Sequence, residues 1–321
     1  MYVEFGYFFH FATISLTVLC NASLSAVGQG MTSLAALDAL DIQPNARPEI
    51  SRTFILGMAL IETSGIIGLT ISLLLLTPDQ ANASAFAHYA EAGIALAICF
   101  AGGVIGIASS YPAQYACLSV ARQPFYNQKI QGLMLLTQSL MQTPIIFAFI
   151  VALFIKGQLP LVTTLEESFR LIGAGLCIGL GSIGPSLGLA RFSQEACTAV
   201  GVNPRMYQQL LSFTLMSEAL IESPLIFALL ISLLLLQLQV GDTPLSFIKA
   251  TAFFSAALCM GLGTFGPGFN SGKISGSACK QMAITPEQYH PIARTSLFGQ
   301  VLIETCAIYS MIVAFLLLFM W

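Results

Sequence analysis

Apolar positions run through this chain in long blocks, separated by short polar or proline-bearing gaps, with neither strand-like alternation nor a one-sided helical stripe. Blocks at about 7–37, 51–77, 90–118, 128–156, 170–199, 208–238, 248–281 and 288–320 each reach the roughly 20 residues that a helix needs to cross a bilayer. The pattern predicts eight spanning helices. The first block has no basic residue before it, since the earliest Lys or Arg is Arg47, and it is too long for a signal-peptide core, so it reads as a retained span.

The gaps repeat. Pro44, Pro124, Pro204 and Pro286 follow one another at steps of 80, 80 and 82 residues. The same register carries LIETSGII onto LMQTPIIF, LIESPLIF and LIETCAIY, so that Glu62 falls on Gln142, Glu222 and Glu304. Two independent features with one period predict four tandem helical hairpins in a common orientation, bounded at about 1–80, 81–160, 161–242 and 243–321. In each, the loop proline ends or bends the chain between two helices.

The helices of a hairpin differ in kind. The first is rich in small residues, with six glycines from Gly173 to Gly188 in the third unit and six from Gly261 to Gly276 in the fourth. Small residues let helix backbones approach closely in a membrane, so the first helices should crowd together. The second helix is rich in Leu, Ile and Phe around its Glu or Gln and should lie outside the first. Four such hairpins leave two open edges, and a closed cyclic assembly removes them. The expected architecture is an all-α membrane protein forming part of a closed two-layer ring.

Composition agrees: 56% of the 321 residues are hydrophobic and 8% charged, and mean hydropathy is +0.82, far from the roughly 25% charged residues of soluble domains. The net charge of −3 offers no basic patch for nucleic acid. Of the twelve basic residues, Arg47, Arg52, Arg122, Lys129, Arg191, Arg205, Lys273, Lys280 and Arg294 fall at the four hairpin loops, against Lys156, Arg170 and Lys249 at the opposite ends. Cytoplasmic loops hold Lys and Arg, which places the hairpin loops in the cytoplasm and both termini outside. The eight cysteines lack metal-ligand spacing and read as small buried hydrophobes.

An ionisable residue within a membrane span is by default a functional-site candidate. Glu62, Glu222 and Glu304 are three such acids at one register, whereas Gln142 cannot ionise. A hydroxyl follows each position, as Thr63, Thr143, Ser223 and Thr305. Glu218 lies one turn before Glu222 on the same face. It is either an additional ligand or proton acceptor, or a permanently protonated donor in the packed interface. His10, His88 and His290, near helix ends, are expected to be solvated at the interface. Glu4, Asp79, Glu91, Glu166, Glu167 and Asp242 are likewise expected to meet water at the outer ends and loops.

These residues resemble the rotor-ring c subunit of F-type ATP synthases, in a form with four hairpins fused in one chain; the vacuolar-type proteolipid is a related form. The glycine-rich first helix, the loop ARQP at Ala121 to Pro124, and a carboxylate 18 residues beyond the loop proline carry the resemblance over nearly the whole chain. It implies a non-catalytic protein without a cofactor, multi-pass in a bacterial inner membrane and assembled with copies of itself. ATP chemistry would then take place on other subunits. Glu62, Glu222 and Glu304 would carry H+ or Na+ past an arginine of the stator, and Gln142 would mark a lost ion site. Gln43, Pro44, Arg122, Gln123, Pro124, Asn203, Pro204 and Pro286 would meet the central stalk.

The resemblance also implicates Gln29, which stands where sodium-binding members place a glutamine, and Tyr309, which matches a tyrosine able to hydrogen-bond the site carboxyl. A sodium site would draw on Gln29, Thr63, Ser223 and Thr305 as oxygen ligands, but the counterparts of Gln29 are Ser109, Leu189 and Ser271, and Leu189 has no side-chain oxygen. Both ions stay open at this level. A secondary transporter built from repeats would instead gather its units around one site, and a membrane scaffold would have no use for three acids at one register.

Overall fold

A computed structural model of the chain describes residues 2–77, 85–238 and 246–320. Asp79, Asp242 and the side chain of Glu4 lie outside the described residues. Twelve α-helices and 3₁₀ turns make up the architecture, with no strand among the described residues. They combine into eight helices long and apolar enough to cross a membrane: Gly6–Ile42, Pro44–Leu75, Phe86–Arg122, Pro124–Leu161, Leu165–Val202, Pro204–Gln237, Ser246–Ile284 and Pro286–Phe319. Most extend past their apolar blocks, because the helix continues through polar turns such as Asp38 to Ile42.

The first helices of the hairpins are α1 (Tyr2–Ile42), α4 and α5 (Ala85–Ala108, Ser110–Arg122), α8 (Leu165–Val202), and α10 and α11 (Ser246–Gly263, Phe265–Ile284). The second helices are α2 and α3 (Arg47–Ile61, Thr63–Leu75), α6 and α7 (Asn127–Leu140, Thr143–Gln158), α9 (Tyr207–Gln237) and α12 (Tyr289–Phe319).

The loops repeat at the level of backbone angles. Each loop proline opens a 3₁₀ turn after a residue with nearly the same φ and ψ: −141° and 80° at Gln43, −137° and 68° at Gln123, −136° and 82° at Asn203, and −123° and 75° at Thr285. These extended angles suit the residue before proline, whose ring disfavours a helical neighbour.

The first helices interlock through glycine. A Cβ built on Gly188 of α8 would stand 2.2 Å from the Gly268 carbonyl oxygen of α11, and one on Gly175 would stand 1.9 Å from that of Gly93 in α4. Neither approach is open to a residue with a side chain. The second helices pack on the outside of this layer and turn Leu, Ile and Phe outward, as at Ile55, Leu73, Ile146, Phe154, Ile226 and Leu302. Cys306 is exposed, unlike the buried Cys117, Cys177, Cys197 and Cys279, because α12 lies at the end of the row of hairpins; its counterparts Ser64, Pro144 and Pro224 in the other units are buried.

Burial falls toward both ends of the row of hairpins. The central first helices are 67% and 72% buried over their most apolar windows, whereas α1 is 28% and α12 is 17% buried. Hairpins 1 and 4 are the open edges.

Two of the three basic residues opposite the loops, Arg170 and Lys156, hold helix ends. The Arg170 guanidinium donates to the Leu235 and Leu236 carbonyls, each at 2.8 Å, and to Gln158 Oε1 at 3.0 Å. Lys156 donates to the Leu74 carbonyl and to Thr77 Oγ1. Both cations cap helix C-termini, where carbonyls lack partners and the helix dipole favours positive charge.

Candidate functional site

The key residue of each hairpin sits on its second helix, and in hairpins 1 and 2 the helix is interrupted there. Glu62 separates α2 from α3, and Met141 and Gln142 separate α6 from α7. Proline at this place does not decide the break, since α9 runs unbroken through Pro224 and hairpin 1 breaks with Ser64 there. Pro144 and Pro224 have no N–H to offer the carbonyl four residues back, and the preceding hydroxyl serves instead: Thr143 Oγ1 donates to Leu140 O at 2.6 Å and Ser223 Oγ to Leu220 O at 2.9 Å. Thr63 and Thr305 make the equivalent bonds to Leu60 O and Leu302 O. The repeated hydroxyl therefore has a backbone role in all four units.

In two interfaces it also reaches across hairpins. Thr63 Oγ1 lies 2.9 Å from Gln142 Oε1, and Gln142 Nε2 donates to the Leu60 carbonyl at 3.1 Å. Thr143 in turn faces the carboxyl of Glu222. In these two interfaces the polar neighbour of the key residue comes from the preceding hairpin, whereas among the described residues Ser223 bonds only its own Leu220 carbonyl.

The four key residues differ in surroundings. Gln142 is buried, with 7% of its surface exposed. Glu222 is half-buried and its Oε1 has no hydrogen-bond partner. Glu304 is half-buried on α12. Glu62 is exposed at the open edge, where it lines a groove of about 260 Å³ with Ser25, Gln29, Ala26 and Gly65. The structure therefore brings Gln29 to Glu62. Tyr309, five residues past Glu304, points outward and is 65% exposed.

Glu218 is 1% exposed, and neither carboxyl oxygen has a partner. The repeat supplies a signal that explains its place: the same steps of 80 and 82 that relate the key residues align it with Gln138 and Gln300. Both glutamines are fully buried. Gln138 Nε2 donates to the Ser109 carbonyl at 2.7 Å, at the interruption between α4 and α5, and Gln300 Nε2 to Ser296 Oγ at 3.2 Å. Glu218 occupies a position that two other hairpins give to a neutral amide.

Three residues expected to be solvated are not. Glu91 is fully buried between α1 and α4, with His10 Nδ1 2.7 Å from Oε2 and His88 Nδ1 3.4 Å from Oε1. His88 is buried and His10 partly so. Their sequence positions suggest interfacial water because 81 residues separate Glu91 from His10, and only the packing of one first helix on the next brings them together.

Comparison with known proteins gives one family. The sequence profile of the family described as the ATP synthase C subunit matches residues 13–75, 92–155, 172–235 and 254–317. The chain is similar to the ATP synthase c subunit of Thermotoga petrophila, 35% identical over 80 residues that make up 25% of this chain and 94% of that protein. It is similar to ATP synthase c subunit 2 of Cereibacter sphaeroides, 35% identical over 72 residues, 22% of this chain and 87% of that one. The ATP synthase c subunit of Mycoplasma capricolum is 36% identical over 78 residues, 24% of this chain and 76% of that protein. Each match is about as long as one hairpin.

Proposed function

The chain belongs to the ATP synthase c-subunit family, with four copies of the unit in tandem, and from that premise we propose that Glu62, Glu222 and Glu304 are the ion carriers of a rotor ring. The protein is non-catalytic, and its family implies oligomeric rings within an ATP synthase. The observation that carries the residue assignment is the recurrence of a membrane carboxylate at one register on the outer layer, with a hydroxyl of the preceding hairpin beside Glu222.

A carboxyl facing hydrocarbon must be neutral, protonated or paired with a cation. Burial disfavours the charged form, and an arginine on a neighbouring stator protein, the a subunit, favours it. A carboxylate alternates between these environments as the ring turns; the Gln142 amide cannot. Hairpin 2 then contributes packing and no ion.

The open edges support closure into a ring. Thr63 reaches toward hairpin 2 and Thr143 toward hairpin 3, so by the same relation Thr305 reaches toward Glu62 in the next copy of the chain and covers its groove. A ring made of this chain holds a multiple of four hairpins, with three working carboxylates in each four. Fewer ions per turn against the same catalytic head favours pumping against a larger gradient.

The cargo that suits three unequal sites is a proton. Glu62 has Gln29 beside it, whereas the third hairpin has the buried Leu189 at that register. A sodium ion takes several oxygen ligands at every stop, and a proton takes one carboxyl oxygen. The hairpin loops meet the central stalk on the cytoplasmic side of a bacterial inner membrane, with the basic residues gathered there.

Carbodiimide labelling of the detergent-purified ring, read peptide by peptide, tests the assignment. Modification of the Glu62, Glu222 and Glu304 peptides, unaffected by added sodium, is the expected result; protection by sodium would replace the proton with Na+. Unlabelled peptides at all three positions would overturn the assignment, and a monomer with a substrate pocket would favour a repeat-built transporter.

A further inference from the structure

We propose that His10, His88 and Glu91 form a transition-metal site, suited to Zn2+, that fastens the first helix of hairpin 1 to the first helix of hairpin 2. One nitrogen from each imidazole and one carboxylate oxygen lie within 4.8 Å of one another. His10 comes from α1, and His88 and Glu91 come from consecutive turns of α4. The two histidines approach different oxygens of one carboxylate, at 2.7 and 3.4 Å.

The ligand chemistry is that of zinc. Two imidazole nitrogens and a carboxylate oxygen make a three-ligand set, which a water completes to four. With metal–ligand bonds near 2.0–2.2 Å, tetrahedral ligands sit about 3.4 Å apart. The His88 Nδ1 to Oε1 distance already has that separation, while His10 Nδ1 hydrogen-bonds the other oxygen, Oε2, and exchanges that bond for the ion. Nitrogen-rich sites select zinc or its neighbours over magnesium and calcium, which take oxygen ligands.

Burial points the same way. Glu91 is fully enclosed, and among the described residues its charge partners are these two imidazoles alone, with no Lys or Arg. A buried carboxylate is paired or coordinates a metal. Packing of Tyr7 against His88, with ring centroids 5.3 Å apart, helps hold that imidazole toward the carboxylate. The chain has only one further histidine, His290, on α12, so the cluster occurs once and is independent of the fourfold ion register.

The test is zinc binding by the full-length protein purified in detergent and stripped with EDTA. Equilibrium dialysis with Zn2+ is expected to load about one ion per chain, and the loaded protein to dissociate at a higher temperature than the stripped one. His10→Gln and His88→Gln should each weaken binding by about tenfold or more, and Glu91→Gln similarly, while His290→Gln leaves it unchanged. Wild-type protein that retains no stoichiometric zinc, or holds it as tightly in the His10→Gln/His88→Gln double variant, would leave a hydrogen-bonded triad and overturn the metal site. The wild-type comparison decides even if a variant fails to fold.

Discussion

The Thr63 hydroxyl of hairpin 1 lies 2.9 Å from the Gln142 amide oxygen of hairpin 2, with its single hydrogen shared between that oxygen and its own Leu60 carbonyl 2.6 Å away. The side chain following one key position is thus the neighbour of the next. Thr143 lies beside the Glu222 carboxyl in the next interface, and this makes both sites a property of an interface between hairpins.

Two threonine variants follow from that geometry. Thr63→Val removes a hydrogen bond, with a cost of about 0.5–1.5 kcal/mol, and leaves ion transport unchanged because Gln142 carries none. Thr143→Val alters the Glu222 site instead, and shows as a changed rate of carbodiimide labelling at Glu222 with Glu62 unaffected. Thermal dissociation of the assembly and peptide-resolved labelling measure the two effects.

Gln142→Glu restores a fourth carboxylate beside Thr63. Working sites per chain rise from three to four, so ions moved per ATP rise by the ratio 4/3. The threshold proton-motive force for ATP synthesis falls correspondingly in reconstituted vesicles. An unchanged threshold in an assembled, active enzyme would show that position 142 lies off the ion path.

Glu218→Gln places at this position the amide that hairpins 2 and 4 carry as Gln138 and Gln300. It should assemble and pump like the parent protein. Glu218→Ala leaves a cavity in a fully enclosed position and destabilises the assembly by about 1–3 kcal/mol. Loss of pumping in an intact Glu218→Gln ring would instead make Glu218 an ion carrier.

Gly188→Leu forces apart the first helices of hairpins 3 and 4, since even a Cβ would lie 2.2 Å from the Gly268 oxygen. Backbone cannot yield as a flexible side chain can, so the variant should fail to reach the folded assembly, or lose about 1–3 kcal/mol or more. Size-exclusion chromatography in detergent reads the outcome.

Much of this is legible in the sequence because a tandem repeat amplifies weak signals. Eight apolar blocks, four loop prolines and three carboxylates share one period, and the family resemblance follows from that recurrence. The alignment of Glu218 with Gln138 and Gln300 is present in the same arithmetic and needs only to be read one turn earlier. The partnership of Thr63 with Gln142 depends on which way successive hairpins pack, which no period encodes. The His10, His88 and Glu91 cluster is less visible still: it breaks the repeat, and its members are joined by helix packing across 81 residues. A polar residue near the end of an apolar block suggests water, yet at Glu91 a neighbouring helix covers the carboxylate.

The central claim is that three carboxylates carry the ion in turn, and ATP-driven pumping by the holoenzyme carrying Glu62→Gln, Glu222→Gln and Glu304→Gln together tests it most directly. The account predicts a ring that assembles as the parent protein does and pumps nothing. Sustained pumping by an assembled triple variant would contradict it.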